Sequence, residues 1–96
     1  MHTLSGMDGY EWDPAKAAGN LKKHKVDFAD AALSLEDPNA LIVADPDAGS
    51  EERYVCLGVD PHGRVLVTVC AHRGDSVRII SSRSASPGER RRYEAA

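Results

Sequence analysis

The sequence has few aromatic residues, only two cysteines and no long apolar run. One tryptophan, one phenylalanine and three tyrosines make up 5% of the 96 residues. Branched aliphatic residues and alanines must therefore fill most of the core of a single small domain. No apolar run approaches the ~18 residues that span a bilayer, and the start lacks the basic and then apolar order of a secretory signal. We therefore expect a cytoplasmic protein without a membrane span.

The two cysteines do not point to a particular chemistry. Cys56 and Cys70 each lie in an apolar, strand-like run, where cysteine usually behaves as a small buried hydrophobe. A disulfide or a metal pair is the less common alternative at such a spacing. The sequence predicts neither a metal nor a cofactor.

Charge is divided unequally between the two halves of the chain. Residues 1–52 contain eleven acidic residues and four lysines, whereas residues 53–96 contain eight arginines and four acidic residues. The planar guanidinium of arginine matches a phosphate with two parallel hydrogen bonds, which the lysine ammonium cannot do. The second half therefore favours contact with phosphates, with solvated strand and helix ends as the alternative explanation.

Two helices are predicted in the first half. Asp13 is a suitable N-cap, Pro14 fits the first helical position, and the helix should end near His24. A second cap at Asp27 begins another helix, which Pro38 ends. Because only a few residues join the helices, they should form a hairpin that covers one side of another layer.

The residues before the first helix show no apolar periodicity. Residues 1–10 consist largely of glycine and small polar residues, with no recurring apolar position. We predict that they form a flexible leader and that residues 11–96 form one domain.

The covering helices require a sheet, and apolar runs separated by turn residues supply it. The predicted strands are Ala40–Ala44, Tyr54–Val59, Val65–Cys70 and Ser76–Arg83. Ser86 as a cap and Pro87 at the first helical position predict a short, very basic helix that runs to Ala96. The predicted fold class is α+β: two N-terminal helices packed on a mainly antiparallel four-stranded sheet, with a short basic C-terminal helix.

Three groups of residues together carry a family resemblance. The first group is Glu11-Trp12-Asp13-Pro14, Lys16, Asn20, Lys23-His24, Val26, Phe28 and Asp37-Pro38. The second is Glu52-Arg53-Tyr54, Gly58 and Arg64, and the third is Arg78 to Arg83, Ala85, Glu89 and Arg90 to Tyr93. In these residues the chain resembles the BrnT family of RelE-like toxins from Glu11 to Glu94. Lys25 departs from the family, which more often has glycine there to end the first helix.

The resemblance implies both an activity and a partner. It implies a RelE-like ribonuclease toxin of a type II toxin–antitoxin system, which cleaves RNA without a metal and inhibits translation. It further implies neutralisation in a hetero-oligomer with a BrnA-like antitoxin, whose DNA-binding part represses the operon.

Metal-independent RNA cleavage needs a group that stabilises the charge on the phosphorus during attack by the 2′-hydroxyl. We expect Arg83 to do this, because it lies at the sheet end beside the C-terminal helix, where the resemblance to RelE-like toxins implies a concave site. Arg78 is the second choice and Arg64 a third candidate. Simple strand alternation puts Arg83 and Arg78 on opposite faces unless the strand twists or bulges. A surface ion pair of Arg83 with Glu52 or Glu89 is the structural alternative.

Further residues are candidates for proton transfer or RNA contact. Glu52, His24, His72 and Tyr93 are candidates for proton transfer, with a salt bridge to Arg53 as the alternative for Glu52. The predicted RNA-binding residues are Lys23, His24, Arg53, His72 and Arg73. For His24 at a helix end, a structural role is equally expected. The rival function is a non-catalytic RNA- or protein-binding module of the same fold.

Overall fold

The computed structural model describes residues 5–45, 49 and 52–96 of the chain. No helix among these residues is long and apolar enough to cross a membrane. The elements are β1 (Ser5–Met7), β2 (Tyr10–Trp12), α1 (Pro14–His24), α2 (Phe28–Ser34), β3 (Leu41–Ala44), β4 (Arg53–Val59), β5 (Val65–Arg73), β6 (Ser76–Ser84) and α3 (Pro87–Ala95).

The strands form one six-stranded sheet in the order β1-β2-β6-β5-β4-β3. Neighbouring strands are antiparallel except for β2 and β6, which run parallel. The predicted four-stranded sheet is therefore wrong in strand number, although the fold is mixed, with helices and a largely antiparallel sheet. Strands β1 and β2 have three residues each, too few for an apolar alternation that sequence reasoning can detect.

The two covering helices do not begin the described chain, which is a second correction. A hairpin of β1 and β2 precedes them, with Gly6 paired to Glu11 and Met7 paired to Tyr10. The prediction of a flexible leader did not include this hairpin, which contains residues 5–10. Residues 1–4 lie outside the described part. A left-handed glycine, Gly9 at φ 83°, allows the tight turn between the strands.

The helix caps predicted from the sequence are present. The Asp13 carboxylate accepts hydrogen bonds from the backbone N–H groups of Ala15 (2.8 Å) and Lys16 (3.4 Å) at the start of α1. At the other end, Lys25 adopts φ 61°, the left-handed conformation for which the family more often has glycine. Helix α2 ends at Ser34, before the predicted stop at Pro38.

The core lies between α2 and one face of the sheet, and Ala17 of α1 packs against it. Leu66 and Ile79 project from this face and are buried, together with Phe28 of α2. The Trp12 ring meets Phe28 edge to face at a centroid distance of 6.1 Å. The rest of the core is largely aliphatic and alanine, which confirms the prediction from the scarcity of aromatic residues.

Both cysteines are buried on this helix-covered face as free thiols. Burial raises the pKa of Cys56 to about 12 and raises that of Cys70. The thiols therefore stay protonated near neutral pH, and the prediction that they act as small hydrophobes is confirmed.

A close approach of α2 to the sheet gives the first testable prediction. A β-carbon on Gly58 of β4 would lie 2.2 Å from the Ser34 carbonyl oxygen, and both groups are backbone-anchored. We expect Gly58→Ala to lower the unfolding free energy by about 2–3 kcal/mol. Gly19→Ala in α1 is the control: beyond its chain neighbours and the backbone of its own helix, the added β-carbon would meet no atom within 4 Å, and it should stabilise the helix by about 0.5–1 kcal/mol. Urea unfolding of both variants measures the difference, and equal stabilities would contradict the packing.

Candidate active site

A β-bulge in β6 puts the two arginines favoured by sequence reasoning on the same face. Strand β5 pairs Val69 with Ser81 but Cys70 with Ile79, so Ile80 is the extra residue. On either side of this bulge, Arg83 pairs with Val67 and Arg78 pairs with Ala71. Because Val67 and Ala71 are four residues apart on one strand, Arg83 and Arg78 share a face. The prediction from simple alternation, that Arg78 and Arg83 lie on opposite faces, is therefore wrong.

This shared face is the one opposite α2. Helix α2 packs on the face that presents Leu66, Cys70 and Ile79, whereas α1 lies along β6. The opposite face, which we call the open face, presents Val55 and Val69 as half-buried neighbours in register. An apolar floor bordered by arginines therefore faces away from α2.

Three arginines and a lysine surround one cavity on the open face. Arg53 and Arg78 flank Ala71 in one row across three strands, and Arg73 follows two residues further along β5. The side chain of Ala71 is small and fully buried, so the Arg53 and Arg78 side chains can both extend over it. The cavity measures about 170 Å³ and is lined by Lys16, Arg53, Arg73, Arg78 and Ile80. We call it the cation cavity.

Four cationic side chains around one small space repel each other, and an anion placed among them relieves that repulsion. Arg53 and Arg73 also have interactions with other residues of the protein. A phosphate is a suitable anion, because three of the four groups offer the planar guanidinium fork.

Helix α1 contacts β6 through a polar stripe on one side of the helix. The position of this stripe explains how Lys16 reaches the cation cavity. Lys16, Asn20 and His24 recur every four residues and so share one side of the helix. Asn20 is buried and donates to the carbonyl oxygens of Ser82 (2.8 Å) and Val26 (3.0 Å). Its own side-chain oxygen accepts from the Ser82 N–H at 3.1 Å.

The Asn20 carboxamide makes the backbone hydrogen bonds that a neighbouring strand would make with Ser82. Strand β2 pairs with β6 only as far as Arg78, so none of the described strands reaches Ser82 from that side. Asn20 satisfies both backbone groups of Ser82 and thereby fixes α1 along β6, with Lys16 at one end and His24 at the other.

His24 and Arg83 border a second cavity on the open face. This cavity measures about 410 Å³ and is lined by His24, Val55, Val67, Val69, Ser81, Ser82 and Arg83. We call it the second cavity. It adjoins the apolar floor, so the open face has a cationic group at each end of β6.

Arg83 itself is engaged in a bidentate ion pair. Its guanidinium donates to both carboxylate oxygens of Glu89 at 2.8 and 3.0 Å. Glu89 also accepts from the backbone N–H of Ser86 at 2.8 Å, completing a capping box at the start of α3. The hydrogen bonds from Arg83 and then Ser86 hold the pKa of Glu89 at about 2. The structural alternative for Arg83, a pair with Glu89, is thus present.

This ion pair predicts a pH dependence. Because the pKa of Glu89 is lowered from its ordinary 4.5 to about 2, its stabilising contribution is complete above the unfolded value and disappears as pH falls toward 2. We expect the stability advantage of the parent over Glu89→Gln to shrink between pH 5 and pH 2. Urea unfolding of both proteins across this range measures it, and a constant difference would mean that the carboxylate charge contributes nothing.

Arg64 lies in a separate ion network, away from both cavities. Its guanidinium contacts Asp60 at 2.8 Å and Asp30 at 3.7 Å, and it donates to the Lys25 carbonyl oxygen at 2.9 Å. Asp30 and Asp60 form, with His62, a group with the spacing of metal ligands. The Arg64 guanidinium already neutralises Asp60 there, so Arg64 serves the turn between β4 and β5 and is not grouped with the other arginines.

Other predicted residues also lie apart from the cation cavity. His72 pairs with Val77 on the helix-covered face and meets the Tyr54 ring edge to face at 5.2 Å. Tyr93 donates to Asp37, and this hydrogen bond raises the pKa of Tyr93 to about 12. The structure therefore separates both residues from the arginines.

Two further predicted residues are exposed. Glu52 lies just before β4, where its carbonyl oxygen accepts from the His72 N–H at 3.1 Å. Lys23 lies on α1 but outside the stripe formed by Lys16, Asn20 and His24. Of the predicted set, Arg53, Arg73 and Arg78 meet at one cavity, and Arg83 and His24 meet at the other.

Sequence reasoning did not identify two residues of the site. Lys16 lines the cation cavity, and its four-residue spacing to Asn20 and His24 was a detectable signal. Glu11 pairs with Arg78 across the parallel strands β2 and β6, so the two side chains are neighbours on the open face. That neighbourhood depends on the β2–β6 pairing, which no local pattern indicates.

Comparison with known proteins places the chain in a family. The family model for BrnT, the ribonuclease toxin of type II toxin–antitoxin systems, matches residues 12–89. The structure is similar to the 1.1 Å crystal structure of the Brucella abortus ribonuclease toxin BrnT, with a TM-score of 0.62 and 27% sequence identity. The match covers 78% of this chain and 92% of that one. No curated protein matches the sequence. The chain belongs to the BrnT family of ribonuclease toxins of type II toxin–antitoxin systems.

Proposed function

We propose that the chain cleaves RNA by metal-independent attack of a 2′-hydroxyl on the adjacent phosphate, and that it inhibits translation in this way. The observation that carries the proposal is the cation cavity, which collects Lys16, Arg53, Arg73 and Arg78 on the open face. Four cationic groups suit the extra negative charge that develops on the phosphate in the transition state.

Within this cavity, Arg78 is the best candidate for the charge-stabilising group. It lies in the middle of the site, between Glu11 of β2 on one side and Ala71 of β5 on the other. Arg83 is the weaker candidate for this role, because its fork is held by Glu89. The scissile phosphate then lies over Ala71, within reach of both Arg53 and Arg78.

Glu11 and Lys16 are proposed for the proton transfers. Attack forms the bond from the 2′-oxygen to phosphorus and breaks the bond to the 5′-oxygen. Glu11, beside Arg78 on the open face, takes the proton of the 2′-hydroxyl. Lys16, on the wall of the cation cavity, donates a proton to the departing 5′-oxygen.

Substitution of Glu11 tests the assignment of the base. Glu11→Gln keeps the size of the side chain but cannot take the proton, so kcat should fall by about a hundredfold. Glu52→Gln is the matched control and should keep the parental rate. An unchanged kcat in folded Glu11→Gln would assign the base elsewhere.

A cleavage assay in chelator tests the function itself. The purified chain should cut RNA in EDTA, and its expression in bacteria should arrest growth. The rival function, a non-catalytic binding module, predicts salt-sensitive RNA binding without strand scission. RNA that stays intact at saturating protein would support that rival.

We further propose that a BrnA-like, DNA-binding antitoxin neutralises the chain as a hetero-oligomer in the cytoplasm. Membership of a type II toxin–antitoxin family implies an antitoxin partner. Co-expression with the product of the neighbouring reading frame should restore growth and yield a stable complex on affinity purification. Recovery of the toxin alone, with growth still arrested, would contradict the proposal.

A further inference from the structure

Cleavage at the cation cavity gives the second cavity no role. Its walls carry the Arg83 guanidinium, the His24 imidazole and the Ser81 hydroxyl, and it adjoins the floor formed by Val55 and Val69. Both cavities belong to the open face, because the bulge at Ile80 turns Arg78 and Arg83 the same way.

We infer that the second cavity binds a second phosphate of the same RNA strand, at a fixed distance from the phosphate in the cation cavity. The inference rests on the proposed function and specifies its substrate: a single-stranded RNA segment of several nucleotides.

The spacing of the two cavities sets the length of that segment. Arg78 and Arg83 are five residues apart on β6 with one bulged residue between them, which separates them by roughly 15 Å. One nucleotide of backbone is shorter than this, so the two bound phosphates belong to nucleotides at least two positions apart. A trinucleotide with hydroxyl ends contains only two phosphates, which are adjacent, so it cannot fill both cavities.

The floor between the cavities indicates how the intervening bases are held. The Val55 and Val69 side chains offer apolar contact but no hydrogen-bond donor or acceptor. A base lying there is bound by its apolar surface, whatever its identity. Recognition along this stretch therefore depends on the backbone phosphates more than on base sequence.

Glu89 competes with RNA for the second cavity. Its carboxylate occupies the fork of Arg83 with the same two-point geometry that a phosphate would use. Binding of the second phosphate must therefore exchange one anion for another. Removal of the Glu89 charge should strengthen the binding of long RNA, because Arg83 is then available without competition.

Affinity for uncleavable oligonucleotides of two lengths tests the inference. Mixed-sequence 2′-fluoro RNA lacks the attacking hydroxyl, so fluorescence anisotropy of a trimer and a hexamer reports binding alone. The parent should bind the hexamer about tenfold more tightly than the trimer. In Arg83→Ala this ratio should fall close to one.

Two variants separate the role of Arg83 from a general loss of charge or structure. Arg92→Ala removes one positive charge from an exposed position on α3 that lines neither cavity, and it should keep the ratio. Glu89→Gln keeps a residue suited to the capping box and should raise the ratio above that of the parent. Circular dichroism of each variant checks that the fold is intact.

The outcomes distinguish this inference from the proposed function. A parent ratio near one, or a ratio that Arg83→Ala leaves unchanged, would overturn the second phosphate site even if the protein cleaves RNA. A ratio that responds as described, in a protein that does not cleave RNA, would support the site and refute the ribonuclease proposal. A ratio that Glu89→Gln lowers would contradict competition by Glu89.

Discussion

Replacement of Arg78 by alanine should slow RNA cleavage by about a hundredfold, which corresponds to ~3 kcal/mol in activation free energy. Arg78 lines the cation cavity and is flanked by Glu11 and Ala71 in the sheet register. Its loss removes a preorganised, charge-assisted contact to the phosphate. The measurement is kcat on an RNA oligonucleotide together with growth of cells that express the variant.

Two further variants sharpen this prediction. Arg78→Lys should recover only part of the rate, because an ammonium is a point charge that cannot reproduce the guanidinium fork. Arg64→Ala removes an arginine of the separate ion network and should keep kcat in the folded protein. If Arg78→Ala folds normally and cuts at the parental rate, charge stabilisation belongs to Arg53, Arg73 or Arg83 instead.

Replacement of Asn20 by alanine should give the largest loss of stability, about 3 kcal/mol in unfolding free energy. The buried carboxamide makes three hydrogen bonds, one to Val26 and two to Ser82. Alanine would leave these backbone groups without partners in the interior, where each costs free energy. It would also release α1 from β6, so cleavage should fall along with stability.

The control for Asn20 is a second asparagine of the same chain. Asn39 is exposed, and Asn39→Ala should change the unfolding free energy by less than about 0.5 kcal/mol. Chemical denaturation of both variants supplies the comparison. Equal stabilities of the two variants would show that water replaces the Asn20 hydrogen bonds without cost.

Helices α1 and α3 could be predicted because their start signals are local. Asp13 with Pro14, and Ser86 with Pro87, are cap and first-turn pairs that act on backbone groups within a few residues. The edge of the sheet could not be predicted in this way. Strand β2 is defined by its pairing with β6, more than sixty residues away in sequence, and three residues carry no periodic signal.

The candidate site shows the same division. Its arginine content could be predicted, because the enrichment after residue 52 is visible in the sequence. The grouping of Arg78 with Arg53 depends on the β4-β5-β6 register, and the face that Arg78 shares with Arg83 depends on the bulge at Ile80, which reverses the strand alternation. Arg64 lies in a separate network that is only partly local: its partner Asp60 is four residues away in sequence, whereas Asp30 lies on α2.

The chemistry of the cut RNA ends tests the central claim most directly. Attack by the 2′-hydroxyl must leave a 2′,3′-cyclic phosphate on one fragment and a free 5′-hydroxyl on the other. We predict these ends when the purified protein cuts RNA in EDTA, as read by mass spectrometry of the fragments. Fragments with 5′-phosphate ends, or cleavage that stops when EDTA is added, would contradict the account.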